Sequence, residues 1–578
     1  MSVGSLAGAT IAVLALAGIV AFLVVGVRSG SVHWGELLTS ADWNPARGRF
    51  GAAAMVWGSA AVAAVALSLA APLGWAAAVA VHEVAPRRWG RLLRAGAELL
   101  AVVPSIVYGL VGLAYLRPFV ARLAGVPGGD SLLTAGLVLA VMVLPTVIAV
   151  SIDALAGVPG GVREAAAACG LTRSEVIRSA VLPQARRGMG AAALLGLARA
   201  LGETIAVFLL VGRADGRMPS SLDEVLTRLP RPGQTLTTKL NGPESVLAGT
   251  TGSHWAALCA VGLVLLVSVA GLIVVGRSAL RLGAGDRPWR RSMALRGARR
   301  GRAVRDRTAR AVLLGLLAVP LAVVAGIGLV VVVRGAAALD PRFWWTPAVG
   351  ASGGGVRDQL AGTLVLVGAA GLITAPVGLG LGLVVAEYAP RAVADWLRTL
   401  TLTLGGVPSI LLGLWGYWLF SSRLGWGKSW VAGSVLLAVV AVPAVVIAVA
   451  ACVEALPPAH REAALAVGLR RDQMVRAVLV PRAVPGLMTG LLLGLARAAG
   501  ETAPLLFTAT VFSGAPALPG GVREAPVTAL PTHIFALAQD AADPAAQQVA
   551  WASALALITV AGLLLAAATL IRRRLERV

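Results

Sequence analysis

Apolar runs of about 20 residues, the length that crosses a bilayer core as a helix, recur from one end of the chain to the other. Short polar stretches separate them. The pattern predicts six spans in the first half, near 6–27, 52–81, 95–116, 132–152, 189–211 and 255–276. Six more follow near 311–333, 359–386, 399–420, 432–452, 486–510 and 550–571. The second and eighth carry Pro72 and Pro376, which membrane helices tolerate when neighbours re-satisfy the freed carbonyl. Leu6 to Val27 is longer than a signal-peptide core and lacks a basic leader, so it reads as a retained first span. The fold class is therefore an all-α polytopic membrane protein of about twelve transmembrane helices.

Composition sharpens this picture. The chain has 578 residues, 58% hydrophobic and only 13% charged, where soluble proteins are about 25% charged. A net charge of +23 would suggest nucleic acid in a soluble protein. Here the basic residues sit between apolar runs, where they hold loops on the cytoplasmic side. No nucleic-acid partner is expected. The arginine-rich stretch 281–310 reads as a basic cytoplasmic linker in reach of anionic membrane lipid. The tail residues Arg572, Arg573, Arg574 and Arg577 put the C-terminus on the same side. An even number of spans then places the N-terminus there too. Cys169, Cys259 and Cys452 are far apart, and the five histidines are scattered, so neither a disulfide framework nor a metal site is expected.

The halves repeat each other. Pro72 recurs as Pro376, and Glu83 and Pro86 as Glu387 and Pro390, each 304 positions on. Pro104-Ser105-Ile106 returns as Pro408-Ser409-Ile410. Beyond a short gap the offset is 298: Pro145 matches Pro443, Glu164 matches Glu462 and Glu203 matches Glu501. Each half has an even number of spans, so the repeats are parallel, related by an axis along the membrane normal. The organisation is a six-helix half over 1–280, the linker 281–310, and a second six-helix half over 311–578.

A polar segment follows the fourth span of each half. The first is REAAAACGLTRSEVIRSAVLP, Arg163 to Pro183. The second is REAALAVGLRRDQMVRAVLVP, Arg461 to Pro481. In both, a glycine stands six residues after the glutamate and a proline thirteen after that glycine. This predicts an alanine-rich helix, a glycine break, and a second helix that stops near the proline. Such a knob on the membrane face could enter a groove on a soluble partner.

The fifth span of each half holds a charged pair. LGLARALGETIAV carries Arg199 and Glu203, and LGLARAAGETAPL carries Arg497 and Glu501. Ionised side chains at bilayer depth are costly. At i, i+4 spacing on one helix each pair can meet, which lowers that cost without removing it. One reading is an intrahelical ion pair that fixes packing. The other is a charged patch facing a path through the membrane, with the two sites opposed across the axis. Arginine's fork of donors suits an oxyanion. Thr204 and Thr502 add a hydroxyl beside each glutamate.

The loops resemble the EAA loop of ABC-importer permeases, with the terminal Ile-x-Leu-Pro relaxed to Ala180-Val181-Leu182-Pro183 and Val478-Leu479-Val480-Pro481. The LGLARALGET and LGLARAAGET segments resemble those of phosphate-specific importer permeases of the PstC and PstA kind. So do TSADWNPARGRFGA (Thr39 to Ala52), the APLG…HEVAP and APVG…AEYAP segments, and PSIVYGL and PSILLGL. The likeness covers nearly the whole chain, PstC-like in the first half and PstA-like in the second, fused through the basic linker. It implies the type I ABC-importer permease fold in a bacterial plasma membrane. It implies that the loops dock ATPase subunits through Glu164, Ala165, Ala166 and Gly170 and through Glu462, Ala463, Ala464 and Gly468. It assigns phosphate passage to Arg199, Glu203, Thr204, Arg497, Glu501 and Thr502. The implied partners are a PstB-like ABC ATPase homodimer that binds ATP and Mg, an extracytoplasmic PstS-like binding protein, and a phosphate-signalling regulator. The chain has no ATP site of its own: SSRLGWGKS, Ser421 to Ser429, lacks the glycine a phosphate loop needs where Ser422 stands. A permease for molybdate or sulfate, or a membrane scaffold in phosphate sensing, remains open at this point.

Overall fold

The computed structural model describes residues 3–86, 103–219, 221–242, 244–283, 299–350, 353–512, 519–540 and 543–575. The first half is built on α1 (Val3–Arg28), α2 (Ala53–Val79), α3 (Ser105–Val111), α4 (Leu132–Ala156), α5 (Leu182–Gly202) and α6 (Ser253–Gly283). The second half is built on α7 (Arg299–Arg334), α8 (Arg357–Leu383), α9 (Arg391–Gly406), α10 (Ser409–Gly416), α11 (Trp430–Glu454), α12 (Val480–Ala498) and α13 (Pro544–Leu575). Strand is confined, among the described residues, to two antiparallel pairs, Trp43–Asn44 with Arg49–Phe50 and Ala348–Val349 with Gly353–Gly354.

Nine helical segments among the described residues are long and apolar enough to cross a membrane, and ten if the bent pair of α9 with Ser409–Arg423 is one span. The two expected spans outside that set are α1 and α5. Over its described side chains α1 qualifies only as a shorter apolar helix, Val13–Arg28. Helix α5 carries Arg186, Arg187 and Arg199. The chain is a multi-pass membrane protein.

Small residues set the packing, as expected where lipid offers no hydrophobic drive between helices. A Cβ on Gly74 of α2 would lie 2.7 Å from Val147 Cγ1 of α4, and one on Gly378 of α8 would lie 2.4 Å from Val445 Cγ1 of α11. The close approach is the same in both halves. Near the other end of α2 and α8, a Cβ on Gly58 or Gly362 would lie 2.0 Å from the carbonyl oxygen of Gln234 or Thr528. Those carbonyls belong to segments that fold back onto the bundle. Their next turns are pinned alike, Leu236 N donating to Ser59 Oγ and Leu530 N to Thr363 Oγ1, both at 2.9 Å.

The halves interlock. Helix α1 packs against α8 of the second half, and α7 packs against α2 of the first. The expected linker, 281–310, lies partly outside the described residues (284–298). From Arg299 onward it is already α7, so the last part of the basic stretch is helix. That end docks on the first polar loop: Asp306 Oδ1 accepts from Ser174 N at 2.8 Å, and Arg302 lies 3.8 Å from Glu175.

Two expectations are corrected, and a third falls partly outside the described residues. The ninth span is not one straight helix over 399–420: α9 and the helix beginning at Ser409 meet at 88°. Pro408 has no N–H to continue the ladder and drives Val407 to φ −58°, ψ 129°. The third expected span, 95–116, lies outside the described residues up to 102, and the chain enters α3 only behind Pro104. In the polar loops, the second helix does not stop at the proline. It runs from Arg173 through a π-turn at Ile177–Val181 into α5, and from Arg471 through Val475–Leu479 into α12. The wider π-turn shifts the hydrogen-bond register so that Pro183 and Pro481 fall in the first turn of α5 and α12, where a missing N–H is tolerated.

The fifth and eleventh spans also break where the sequence predicted continuous helix. Helix α5 ends at Gly202, and Glu203 is extended at φ −72°, ψ 133° before a short helix Ile205–Leu210. Helix α12 ends at Ala498, and a short helix Ala503–Thr508 comes after it. Pro504 starts the second short helix, but its counterpart in the first half is Ala206, so proline is not the shared cause. The shared residues are Gly202 and Gly500, which weaken helix locally.

Candidate functional site

The two breaks face one another across the interface between halves. A cavity of about 750 Å³ lies between them, and Arg199, Glu203, Arg497 and Glu501 all line it. Its walls come from the same elements of each half: Pro104 and Ser105 opposite Pro408 and Ser409, and Thr146 of α4 opposite Ala444 of α11. Each break rests on the other half's proline. Gly500 is so close to Pro104 that an added Cβ would sit 2.8 Å from its Cβ, while Gly202 lies at ordinary distance from Pro408.

The i, i+4 pairing that the spacing predicts forms in the second half, at the outer limit of an ion pair, and not in the first. Arg199 Nη1 donates to Thr146 Oγ1 at 3.0 Å. Glu203, turned off the helix face by its extended backbone, lies beside Ser105 in the cavity wall. In the second half Arg497 Nε stands 4.0 Å from Glu501 Oε1, Arg497 Nη2 donates to Gly405 O at 3.3 Å, and Ser409 and Glu501 line the cavity as Ser105 and Glu203 do. Arg497 is half exposed to the cavity. The guanidinium groups thus keep donors free to meet an incoming anion, with fixed carboxylates beside them. Thr204 and Thr502 do not line the cavity and are buried in the bundle.

Sequence reasoning missed Ser105, Ser409, Thr146 and Arg277, all of which line the cavity. The two serines stood in a repeated Pro-Ser-Ile whose meaning was open. Thr146 is one hydroxyl inside an apolar run. Arg277, near the end of α6, reads from sequence as an ordinary flanking charge.

The cavity reaches toward the end of the bundle that bears the polar loops, where Leu280 also lines it. A Cβ on Gly188, near the loop end of α5, would meet both Ala154 and Leu280. The opposite end is closed by crossing short helices. Gly109 of α3 lets Ala206 and Leu209 approach, and Gly413 of α10 lets Ala503, Pro504 and Phe507 approach. Phe208 packs on Phe535 beyond them at 5.6 Å.

The polar loops occupy the exposed face at the open end. The first begins with a helix, Gly160–Ala168, and the second with Pro458–Ala466. Glu164, Ala165, Glu462 and Ala463 are exposed, and Ala166 and Ala464 are buried beneath them. Gly170 and Gly468 turn the chain at φ +73° and +84°, with nothing near their missing Cβ, so backbone conformation alone asks for glycine there. Leu465 and Val467 of the second loop are also exposed. Ser421 to Ser429 forms no phosphate cradle. Lys428 Nζ donates to the carbonyls of Leu506 and Thr510, closing the end of the short helix Ala503–Thr508.

The chain matches the family described as binding-protein-dependent transport system inner membrane component twice, over residues 70–282 and 378–577. It is similar to the probable ABC transporter permease protein YqgH of Bacillus subtilis (strain 168), 41% identical over 202 residues, which cover 34% of this chain and 63% of YqgH. It is similar to the phosphate transport system permease protein PstC of Mesorhizobium japonicum, 32% identical over 291 residues, covering 47% of this chain and 86% of that protein. A third relative is the probable ABC transporter permease protein YqgI of B. subtilis, 37% identical over 194 residues, covering 33% of this chain and 66% of YqgI. The chain thus spans just under two thirds of each of the two B. subtilis relatives.

Proposed function

This chain belongs to the family of binding-protein-dependent transport system inner membrane components, carrying two of its domains in one polypeptide, and we propose that it is the permease of an ATP-driven importer of inorganic phosphate. The observation that carries the reading is the cavity between the halves, lined by Arg199, Glu203, Arg497 and Glu501. Arginine suits an oxyanion. Fixed carboxylates keep the attraction weak enough for release, which a pathway requires. They also discriminate. Hydrogen phosphate keeps a P–OH donor at neutral pH that a carboxylate can accept, whereas sulfate has none. The similarity to a protein named as a phosphate transport permease supports the same substrate.

The chain is a membrane component and the ATPase is a separate subunit, an ABC homodimer that binds ATP and Mg and docks on Glu164, Ala165, Gly170, Glu462, Ala463 and Gly468. Ala166 and Ala464 hold those helices against the bundle. The loops, the linker and both termini lie on the cytoplasmic side of a bacterial inner membrane. The cavity is then open inward and sealed outward. A loaded extracytoplasmic binding protein docks on the outer face. ATP binding draws the loops together and opens the seal of crossing short helices. Phosphate passes between the arginines, and hydrolysis restores the inward-open arrangement.

The test is uptake of labelled phosphate by cells lacking their own high-affinity importer and supplied with this chain, its ATPase and its binding protein. Energy-dependent uptake that excess molybdate and sulfate leave intact is the expected result. Uptake of either competitor in place of phosphate would overturn the assignment.

A further inference from the structure

Two glutamates marked the repeat in the sequence without a function, Glu83 and Glu387. Both stand in the π-turn that ends the second helix of their half, Ala80–Val84 after α2 and Val384–Tyr388 after α8. Each meets the arginine just before the exposed docking glutamate. Arg163 Nη2 lies 2.8 Å and Nε 3.2 Å from Glu83 Oε1. Arg461 Nε lies 3.1 Å from Glu387 Oε2.

The same guanidinium closes the end of the fourth helix. Arg163 Nη2 donates to Leu155 O at 2.8 Å and Nη1 to Val158 O at 2.6 Å. Arg461 Nη2 donates to Val453 O at 2.9 Å and Nη1 to Leu456 O at 3.2 Å. One side chain on the loop helix thus holds the ends of two spans by hydrogen bonds whose partners match position for position. Both arginines are about three-quarters buried. A half-satisfied carboxylate or cation here would be costly, so the joint holds together or fails as a unit. His82 adds a 3.0 Å contact to Glu83 in the first half; its counterpart is Ala386.

The consequence is mechanical. Helix α4, gripped at its end by Arg163, also carries Thr146, which holds Arg199 in the cavity. Helix α11, gripped by Arg461, lines the cavity through Val440, Pro443 and Ala444. We infer that Arg163 and Arg461 are positioning residues that carry displacement of the docking loops into the second and fourth spans of each half and so to the cavity. A helix is stiff along its axis, and the bond to its last carbonyls moves it as one body. The inference rests on reading the loops as ATPase docking sites.

The test uses the full chain assembled with its ATPase, with spin labels at the sealed ends of α2 and α8, measured with and without an ATP analogue. Phosphate uptake and ATP hydrolysis are read in parallel. In the unsubstituted complex the label distance changes with nucleotide. In Arg163→Ala with Arg461→Ala the expected result is an assembled complex that hydrolyses ATP at no less than half the normal rate, no longer changes the label distance, and takes up phosphate at least tenfold more slowly. Glu83→Gln with Glu387→Gln keeps shape and an acceptor, so it folds more readily and should lose uptake in the same direction by a smaller factor. A nucleotide-dependent distance change that survives in both variants overturns the inference, as does a distance that never changes in the unsubstituted complex. A normal distance change in an unsubstituted complex that moves no phosphate would refute the phosphate assignment alone.

Discussion

The guanidinium of Arg199 is bonded to the hydroxyl of Thr146 at 3.0 Å, on a different helix, while Glu203 four residues on lies beside Ser105 in the cavity wall. The two charges that sequence spacing would pair are instead oriented separately, and each presents its free face to the cavity. Thr146→Val keeps the shape of the side chain and removes that bond. Hydrogen bonds to charged groups are worth about 1.5–3 kcal/mol, so uptake at saturating loaded binding protein should fall roughly 10- to 150-fold with assembly unchanged. Uptake equal to the unsubstituted protein would show that Arg199 needs no such support.

The two breaks should respond differently to the same substitution. At Gly500 an added Cβ lies 2.8 Å from the rigid ring of Pro104, whereas at Gly202 the nearest atom, on Pro408, is 3.7 Å away. Gly500→Ala should destabilise by about 1–3 kcal/mol through overpacking. Gly202→Ala should stay within about 0.5 kcal/mol. Thermal unfolding of the purified protein in detergent separates them; equal midpoints would contradict the cross-half contact.

The glycines of the docking loops make a conformational prediction. Gly170 and Gly468 sit at positive φ in open space, so Ala there meets no clash and only the left-handed penalty of about 1–2 kcal/mol. Asn, which tolerates that region, should be milder. ATPase association measured by co-purification should weaken in the order Gly, Asn, Ala. Identical retention by all three would mean that the turn is not part of the dock.

The loops at the sealed end should make stability depend on pH. Lys239 is buried, with Nζ 2.6 Å from Glu244 Oε1 and 2.9 Å from Asp215. Burial alone would raise the Glu244 carboxyl, but bonds from Lys239, the Trp43 indole and His254 outweigh it and hold the group below its ordinary value of 4.5. A carboxyl lowered on folding stabilises fully above its unfolded value and loses that contribution as pH falls through the folded one. Hydrogen exchange across 212–254 should therefore be flat from pH 7 to about 5, after correction for intrinsic rates, and accelerate below about 4.5. Glu244→Gln should remove that acid step.

Much of this was legible in the sequence. Apolar length gave nine or ten of the twelve expected spans among the described residues, and the offsets between Pro72 and Pro376 or Glu203 and Glu501 gave the repeat. The paired loops and paired arginines gave the candidate surfaces. The features that escaped did so for physical reasons. Helical periodicity assumes continuity, so the breaks at Gly202 and Val407–Pro408 and the π-turns before Pro183 and Pro481 lay beyond it. Thr146 is silent because one hydroxyl barely alters an apolar run. The packing of α1 on α8 and α7 on α2 depends on shape between distant segments and leaves no periodic trace. Glu83 and Arg163 were both visible as repeated charges, but only the fold brings them within 2.8 Å.

On this reading the arginines of the two halves form one anion path. That path is tested most directly by phosphate uptake in Arg199→Gln with Arg497→Gln, beside the unsubstituted chain, with ATPase assembly and binding-protein-stimulated hydrolysis measured on the same preparations. Uptake should fall at least a hundredfold while assembly persists. Uptake at the normal rate would contradict this and leave the arginines as packing elements.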